Sequence, residues 1–274
     1  MAGEDVVNLT GVPETMLWTL HNRADEARRT DGFVKDDLCL NIYESIDYDY
    51  VRSFGRPDSS HGWRSSQLDE WLRKWIDRND GGIVIELGAG LETQFYRVMD
   101  DRIRWYAVDV PEAMAVREKY IPAHERLVNI GKSALDYTWL DDVPEGKDGK
   151  AFVSMQGLLM YFREEDVRQL FPTVLAKYPN ATLVFDVIPR WFSDMTVKGL
   201  SKTKHYMVPP MPWGISRKEI EPFMEELFPG AQISFMAYKI RFQWGGMYLL
   251  FQLLASLRFI DVPLILALSK DGDR

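Results

Sequence analysis

Two glycines one residue apart, Gly88 and Gly90, follow the apolar run Ile83–Leu87, and Asp109 closes a second apolar run nineteen residues after Gly90. A strand that breaks at Gly-x-Gly and then re-enters a helical pattern lets the backbone approach a nucleotide-like ligand closely. A carboxylate at the end of the next strand is placed to accept both hydroxyl hydrogens of a ribose. The spacing does not favour a dinucleotide: Thr93 takes the third glycine position of G-x-G-x-x-G, and Glu86 and Glu92 bracket the loop, a poor setting for a pyrophosphate. No Gly-Lys-Ser/Thr closes this turn, so it is not a P-loop. S-adenosylmethionine carries a sulfonium, an ammonium, a carboxylate and a ribose diol but no phosphate, and it suits an acidic loop better.

Other chemistries find less support. The histidines His21, His61, His124 and His205 form no H-x-x-x-H or H-x-H pair, so no metal site is expected. A G-x-S-x-G nucleophile elbow is missing, which argues against a hydrolase. His61 and His205 lie in loop-like stretches that can reach a pocket, and Tyr161 follows an apolar run; these three are the candidates for contact with a reacting group. Each also has a plainer reading, as a solvated histidine or a core aromatic.

These residues need a scaffold to position them. From Ile83 onward, strand-like and helix-like segments alternate. Strands are expected at Ile83–Leu87, Trp105–Val110, Arg126–Ile130, Ala151–Gln156, Thr182–Ile188, Ile233–Ile240 and Pro263–Leu268, with helices at Pro111–Tyr120, Glu164–Lys177 and Arg217–Leu227. Several strands are continuous apolar runs, as in a parallel sheet covered on both faces. The pattern predicts a doubly wound α/β domain over 81–274, with its ligand at the carboxyl ends of the strands. Residues 1–80 read as a helical cap. Met16, Leu20, Arg23 and Ala27 share one helix face, and Ser66 with Asp69 reads as a capping box opening a second helix just after Arg64. The region about 189–262 is rich in Trp, Phe, Tyr, Met and Pro, and reads as a cover suited to a flat apolar substrate.

The 274 residues carry a net charge of −8, with no dense Lys/Arg run, so nucleic acid is not an expected partner and a small-molecule substrate is. Cys39 is the single cysteine, which excludes an internal disulfide and fits a reducing cytoplasm. The amino terminus lacks the pattern of a signal peptide. The longest apolar stretch, Met247–Leu257, is too short to span a bilayer and reads as a buried or lid-forming helix, with membrane-surface contact the alternative, so stable membrane insertion is not expected.

Five stretches, "VPETMLWTLHNRADEA", "WRSSQLDEW", "IELGAGLETQFYRV", "VDVPEAMAVREKYI" and "MQGLLMYF", resemble in order and spacing the leucine carboxyl methyltransferase family, above all its bacterial branch of polyketide O-methyltransferases. The resemblance implies a class I methyltransferase sheet of Rossmann-like type, with a helical cap and a carboxyl-terminal lid. It also implies methyl transfer from S-adenosylmethionine to an oxygen. It assigns Gly88 and Gly90 to the methionine part, with Glu86 beside them. Asp109 and Val110 fall to the ribose, Asp136 to the adenine amino group, and Arg23 and Arg64 to the cofactor's carboxylate. Gln156, Gly157 and Leu158 are placed beside the methionine end. The chain departs from the family at three positions: Glu92 for a common Asp, Gln94 for Arg and Gln156 for Glu. The last removes a charge expected near the ammonium.

The acceptor remains to be read. A carboxylate, with an unperturbed pKa of about 4, needs no base at neutral pH, whereas a phenol at about 10 does. His61 and His205 are the only bases on offer, so the expected acceptor is a carboxylate on an aromatic or polyketide-like metabolite. A phenolic or enolic hydroxyl, a protein carboxyl terminus and a silent cofactor-binding protein are the alternatives.

Overall fold

The computed structural model describes residues 9–238 and 261–270. The expected helix at Met247–Leu257, the later part of the expected 189–262 cover and the end of the expected strand Ile233–Ile240 lie outside the described residues. Four helices come first: α1 (Thr15–Arg28), α2 (Asp37–Ser45), α3 (Tyr50–Phe54) and α4 (Ser60–Asn79). There follow β1 (Gly82–Leu87), α5 (Gln94–Val98), β2 (Ile103–Asp109), α6 (Pro111–Tyr120), β3 (Leu127–Gly131), α7 (Trp139–Asp142), β4 (Phe152–Met155), α8 (Glu164–Lys177) and β5 (Thr182–Val187). The remainder holds α9 (Arg190–Val197), the strand pair β6 (Ser201–Thr203) and β7 (Tyr206–Met207), α10 (Arg217–Leu227), β8 (Gln232–Ala237) and β9 (Leu264–Ser269).

The main sheet runs β3-β2-β1-β4-β5-β9-β8. The first five strands in that order are parallel, and β9 is antiparallel to both β5 and β8. Consecutive β1 residues point to opposite faces. Ile83, Ile85 and Leu87 join a core with α8 and α10, built on Val167, Leu170, Phe171, Ile220 and Phe223. Val84 faces the other way, into a core it shares with Leu17 and Leu20 of α1 and Leu68 and Leu72 of α4. Because both faces are covered, the strands read as unbroken apolar runs. The cap therefore packs directly on the sheet.

The order of strands reverses between β1 and β4, which opens a crevice at their carboxyl ends. One expected boundary moves. Helix α4 begins at Ser60, so Arg64 lies inside it, and Ser66 with Asp69 is no start signal. The Ser66 hydroxyl donates to the Trp63 carbonyl at 2.8 Å, and Asp69 is taken by Arg97 of α5. Both side chains that suggested a cap are used elsewhere.

Candidate active site

A cavity of about 500 Å³ occupies the crevice. At one end it is walled by Gly88, Gly90, Asp109, Val110, Ser133 and Ala134, the strand-end residues of β1, β2 and β3. Gly88 and Gly90 have φ of +71° and +43°, in the left-handed region where a side chain is strained. A Cβ on Gly88 would stand 2.9 Å from Leu158 Cδ1, so a larger residue there would have to displace Leu158 as well as strain the backbone. The Asp109 carboxylate accepts the N–H of Gly90 and that of Val110, each at 2.7 Å. Burial pushes the Asp109 carboxyl up, and the two amide hydrogen bonds oppose this.

Arg117 of α6 secures the loop from below. Its Nη1 donates to the carbonyls of Ala89 (3.3 Å), Gly90 (2.9 Å) and Glu92 (2.9 Å). This residue lies within a quoted sequence stretch, but nothing in its spacing marked it. Arg97 is the second brace. It pairs with Asp36 before α2 (2.7 Å), Asp69 of α4 (2.8 Å) and Glu92 of the loop (2.7 Å), joining three segments through one guanidinium.

The middle of the cavity holds a polar group. Arg64 Nη1 pairs with Asp186 at 3.2 Å, and both are buried. Asp186 also accepts the Gly157 N–H at 2.5 Å and the Tyr238 hydroxyl at 2.8 Å. Gly157, at φ +62°, leaves room for Arg64: a Cβ there would stand 3.0 Å from Nη1. Two buried polar atoms in this wall, Arg64 Nε and Gln156 Oε1, have no hydrogen-bond partner. Both residues line the cavity, and an unused donor with an unused acceptor fits the carboxylate and ammonium of an amino-acid group.

The far end is apolar and aromatic, built on Trp18, Met160, Ile188, Phe192 and Met211, with Tyr161 and His61 at its edge. Burial raises the Tyr161 hydroxyl to about 12, so it stays a donor at neutral pH. Burial and the nearby Arg64 lower His61 to about 3, so its ring is neutral.

Four expected residues fall elsewhere. Arg23 does not line the cavity: it is paired with Glu92 and donates to the Leu91 carbonyl at 2.6 Å, behind the loop. It is fully buried in an ion pair, so Glu92 takes the guanidinium that was assigned to a carboxylate of the cofactor. Burial alone pushes the Glu92 carboxyl up, yet Arg23 and Arg97 together hold it well below the usual range. Glu86 sits beneath the glycines, accepting from Trp105 Nε1 at 3.2 Å, because side chains alternate along β1 and this one points away from the crevice. Asp136 is exposed and accepts the amide and hydroxyl of Thr138, a turn role that occupies the carboxylate; Ser133 and Ala134 face the cavity instead. His205 is exposed in the turn between β6 and β7 and does not reach the cavity. Conversely, Trp18, Asp186 and Tyr238 line the site without having been singled out. Among the described residues, no cluster of His, Cys, Asp or Glu is arranged to hold a metal, and no helix is long and apolar enough to cross a membrane.

Residues 20–175, more than half of the chain, match the leucine carboxyl methyltransferase family. The chain belongs to this family. Among its relatives is the tetracenomycin polyketide synthesis O-methyltransferase TcmP of Streptomyces glaucescens. The two are 30% identical over 190 residues, 68% of this chain and 70% of that one. An S-adenosyl-L-methionine-dependent methyltransferase, dpfgK, of Gibberella zeae is 28% identical over 185 residues, 60% of each chain. The solved plantazolicin methyltransferase BamL, in complex with a triazolic desmethylPZN analog and SAH, aligns with a TM-score of 0.50 at 11% identity, covering 94% of this chain and 99% of its own. At that identity the likeness shows the fold, which is class I methyltransferase. This leucine carboxyl methyltransferase family member is a methyltransferase, and its cofactor is S-adenosylmethionine.

Proposed function

We propose that this enzyme methylates a carboxylate oxygen of a small aromatic or polyketide-like acid. The observation that carries the reading is the apolar end of the cavity. Trp18, Phe192, Met160, Ile188 and Met211 suit a flat apolar body. Of the acids that line the cavity, Glu92 and Asp186 are paired with arginines, and His205 lies outside. An acceptor that is already an anion needs no base from this wall. The name of the TcmP relative supports transfer to oxygen on a polyketide-type molecule.

In this reading the cap, 1–80, supplies part of the site to the methyltransferase domain, 81–274, and Phe192 and Met211, from the described part of the expected 189–262 cover, lie over the acceptor. Bound S-adenosylmethionine supplies a methyl group on a sulfonium, whose leaving sulfur becomes neutral and needs no acid. Asp109 accepts the ribose hydroxyls on the lone pairs that the two backbone amides leave free. Arg64 meets the amino-acid carboxylate through its unpaired Nε. Asp186, in place of the family acid absent at Gln156, faces the ammonium. Arg23, Arg97 and Arg117 hold the loop. The remaining work is to place an oxygen in line with the methyl carbon and to exclude water.

The test is a labelled methyl-transfer assay against matched aromatic acids and phenols, with products read by mass spectrometry. The expected product is an ester whose methyl group is released by mild alkali. An alkali-stable methyl ether would move the assignment to hydroxyl methylation. Tight cofactor binding with no transfer to any acid or phenol would point to a silent binding protein.

A further inference from the structure

We propose that His61 is locked as the neutral tautomer with its proton on Nε2, and that this N–H is a hydrogen-bond donor holding an anionic oxygen of the acceptor. The argument begins at Asn22 of α1, which is buried. Its Oδ1 accepts the backbone N–H of Asp58 at 3.2 Å. Its Nδ2 therefore faces Asp58 Oδ1 at 3.0 Å and His61 Nδ1 at 2.8 Å, and an amide nitrogen has two hydrogens to give, one to each. Flipping the amide would set its oxygen against the Asp58 carboxylate and its N–H against the Asp58 N–H. The orientation is thus fixed, and with it the role of His61 Nδ1, which must accept.

Asp58 is itself fixed. Its Oδ1 accepts the Ser60 N–H at 2.9 Å and also the Ser60 hydroxyl. Ser60 Oγ lies 3.4 Å from His61 Nδ1, too far to compete with Asn22 at 2.8 Å. A ring that accepts at Nδ1 and stays neutral carries its hydrogen on Nε2. The groups around the ring keep it neutral: it is half-buried and partly desolvated, with Arg64, Arg23 and Lys202 disfavouring a further positive charge and Asp58 favouring one. His61 lines the cavity beside the apolar end, edge-on to Trp18 with ring centroids 6.1 Å apart.

A base at this position would present a bare nitrogen to the acceptor. The Asn22–Asp58 arrangement presents a donor. One carboxylate oxygen held by Nε2–H leaves the other free to attack, whereas a phenol would find no acceptor for its proton. This inference rests on the carboxylate reading above for its ligand, and on Asn22 and Asp58 alone for its tautomer.

Long-range nitrogen–proton NMR on the imidazoles of the whole enzyme reads the tautomer directly, with the His61 signal assigned by its loss in His61→Gln. The expected result is a bare Nδ1 and a protonated Nε2, unchanged from pH 5 to 8. A protonated Nδ1, or a ring that titrates in that range, overturns the proposal. The ligand half is tested by calorimetry with 2-naphthoate and 2-naphthol on enzyme saturated with S-adenosylhomocysteine. His61→Leu should weaken naphthoate tenfold or more and leave naphthol nearly unchanged. His61→Gln, which keeps an N–H near the position of Nε2, should stay within about threefold of the parent for naphthoate. An equal loss for both ligands, or no loss for naphthoate, overturns the donor role. Naphthol methylated in place of naphthoate, with the bare Nδ1 still seen, overturns the carboxylate reading and leaves the tautomer standing.

Discussion

The Asp109 carboxylate accepts the backbone N–H of Gly90 at 2.7 Å, so the acid that ends one strand is fixed against the loop that follows its neighbour. The proposed ribose acceptor and the glycine turn thus form one preorganised unit. Asp109→Ala should weaken S-adenosylhomocysteine binding by about 1.5–3 kcal/mol, through lost charge-assisted hydrogen bonds to the diol. Unchanged affinity in calorimetry would remove Asp109 from the cofactor site.

Arg117 gives a second expectation. One guanidinium nitrogen satisfies three loop carbonyls, and Met has no donor to replace it. Arg117→Met should cost about 2–4 kcal/mol of stability and also weaken the cofactor, since the loop it holds walls the site. Chemical denaturation and calorimetry together decide this. A variant with lowered stability but intact cofactor affinity would mean that the loop needs no brace.

The ammonium assignment separates two ligands. Asp186→Asn should weaken S-adenosylhomocysteine at least tenfold, but leave 5′-methylthioadenosine, which lacks the amino-acid group, nearly unaffected. If both weaken equally, Asp186 serves only to hold Arg64 and Gly157.

Glu86 predicts a pH effect. Burial pushes its carboxyl up to about 7 from an ordinary 4.5; Arg117 opposes the shift and Glu92 adds to it. Between those values the folded chain keeps a proton that the unfolded chain has released, so this group's contribution to stability falls as pH rises through the window. His61 acts with the opposite sign. Lowered to about 3 from 6.5, it costs stability as pH falls. The two overlap, so the total curve hides both. The difference between the parent and Glu86→Gln isolates the first: the variant should gain on the order of 2–3 kcal/mol relative to the parent between pH 4.5 and 7.5. A flat difference would place the Glu86 carboxyl in its ordinary range.

Much of this architecture is legible in the sequence because period and burial write themselves into residue type. Thr182–Val187 is an apolar run because helices cover both its faces, and Arg217–Leu227 follows a Ser216–Glu219 capping box. The glycine turn and Asp109 were readable because only certain residues fit there. What escaped was decided by partners distant in the chain. Arg23 on an apolar helix face gives no sign that Glu92, sixty-nine residues on, will claim it. Ser66 and Asp69 have the spacing of a cap, but Arg97 takes the aspartate and Trp63 the hydroxyl. Asp186 is the last residue but one of its strand, among apolar neighbours, and only the fold shows that Arg64 stands opposite it.

The guanidinium of Arg97 grips the segment before α2, the middle of α4 and the loop after β1 at once. Each of these anionic partners is nearly dry, and although Glu92 also has Arg23, releasing Asp36 or Asp69 leaves a buried charge without its cation, which couples the opening of the three segments. Amide hydrogens in α4 and in the glycine loop should therefore exchange through a shared opening, with the cap and the sheet edge behaving as one cooperative unit. A ligand that touches only the loop will then slow exchange in a helix that it never contacts.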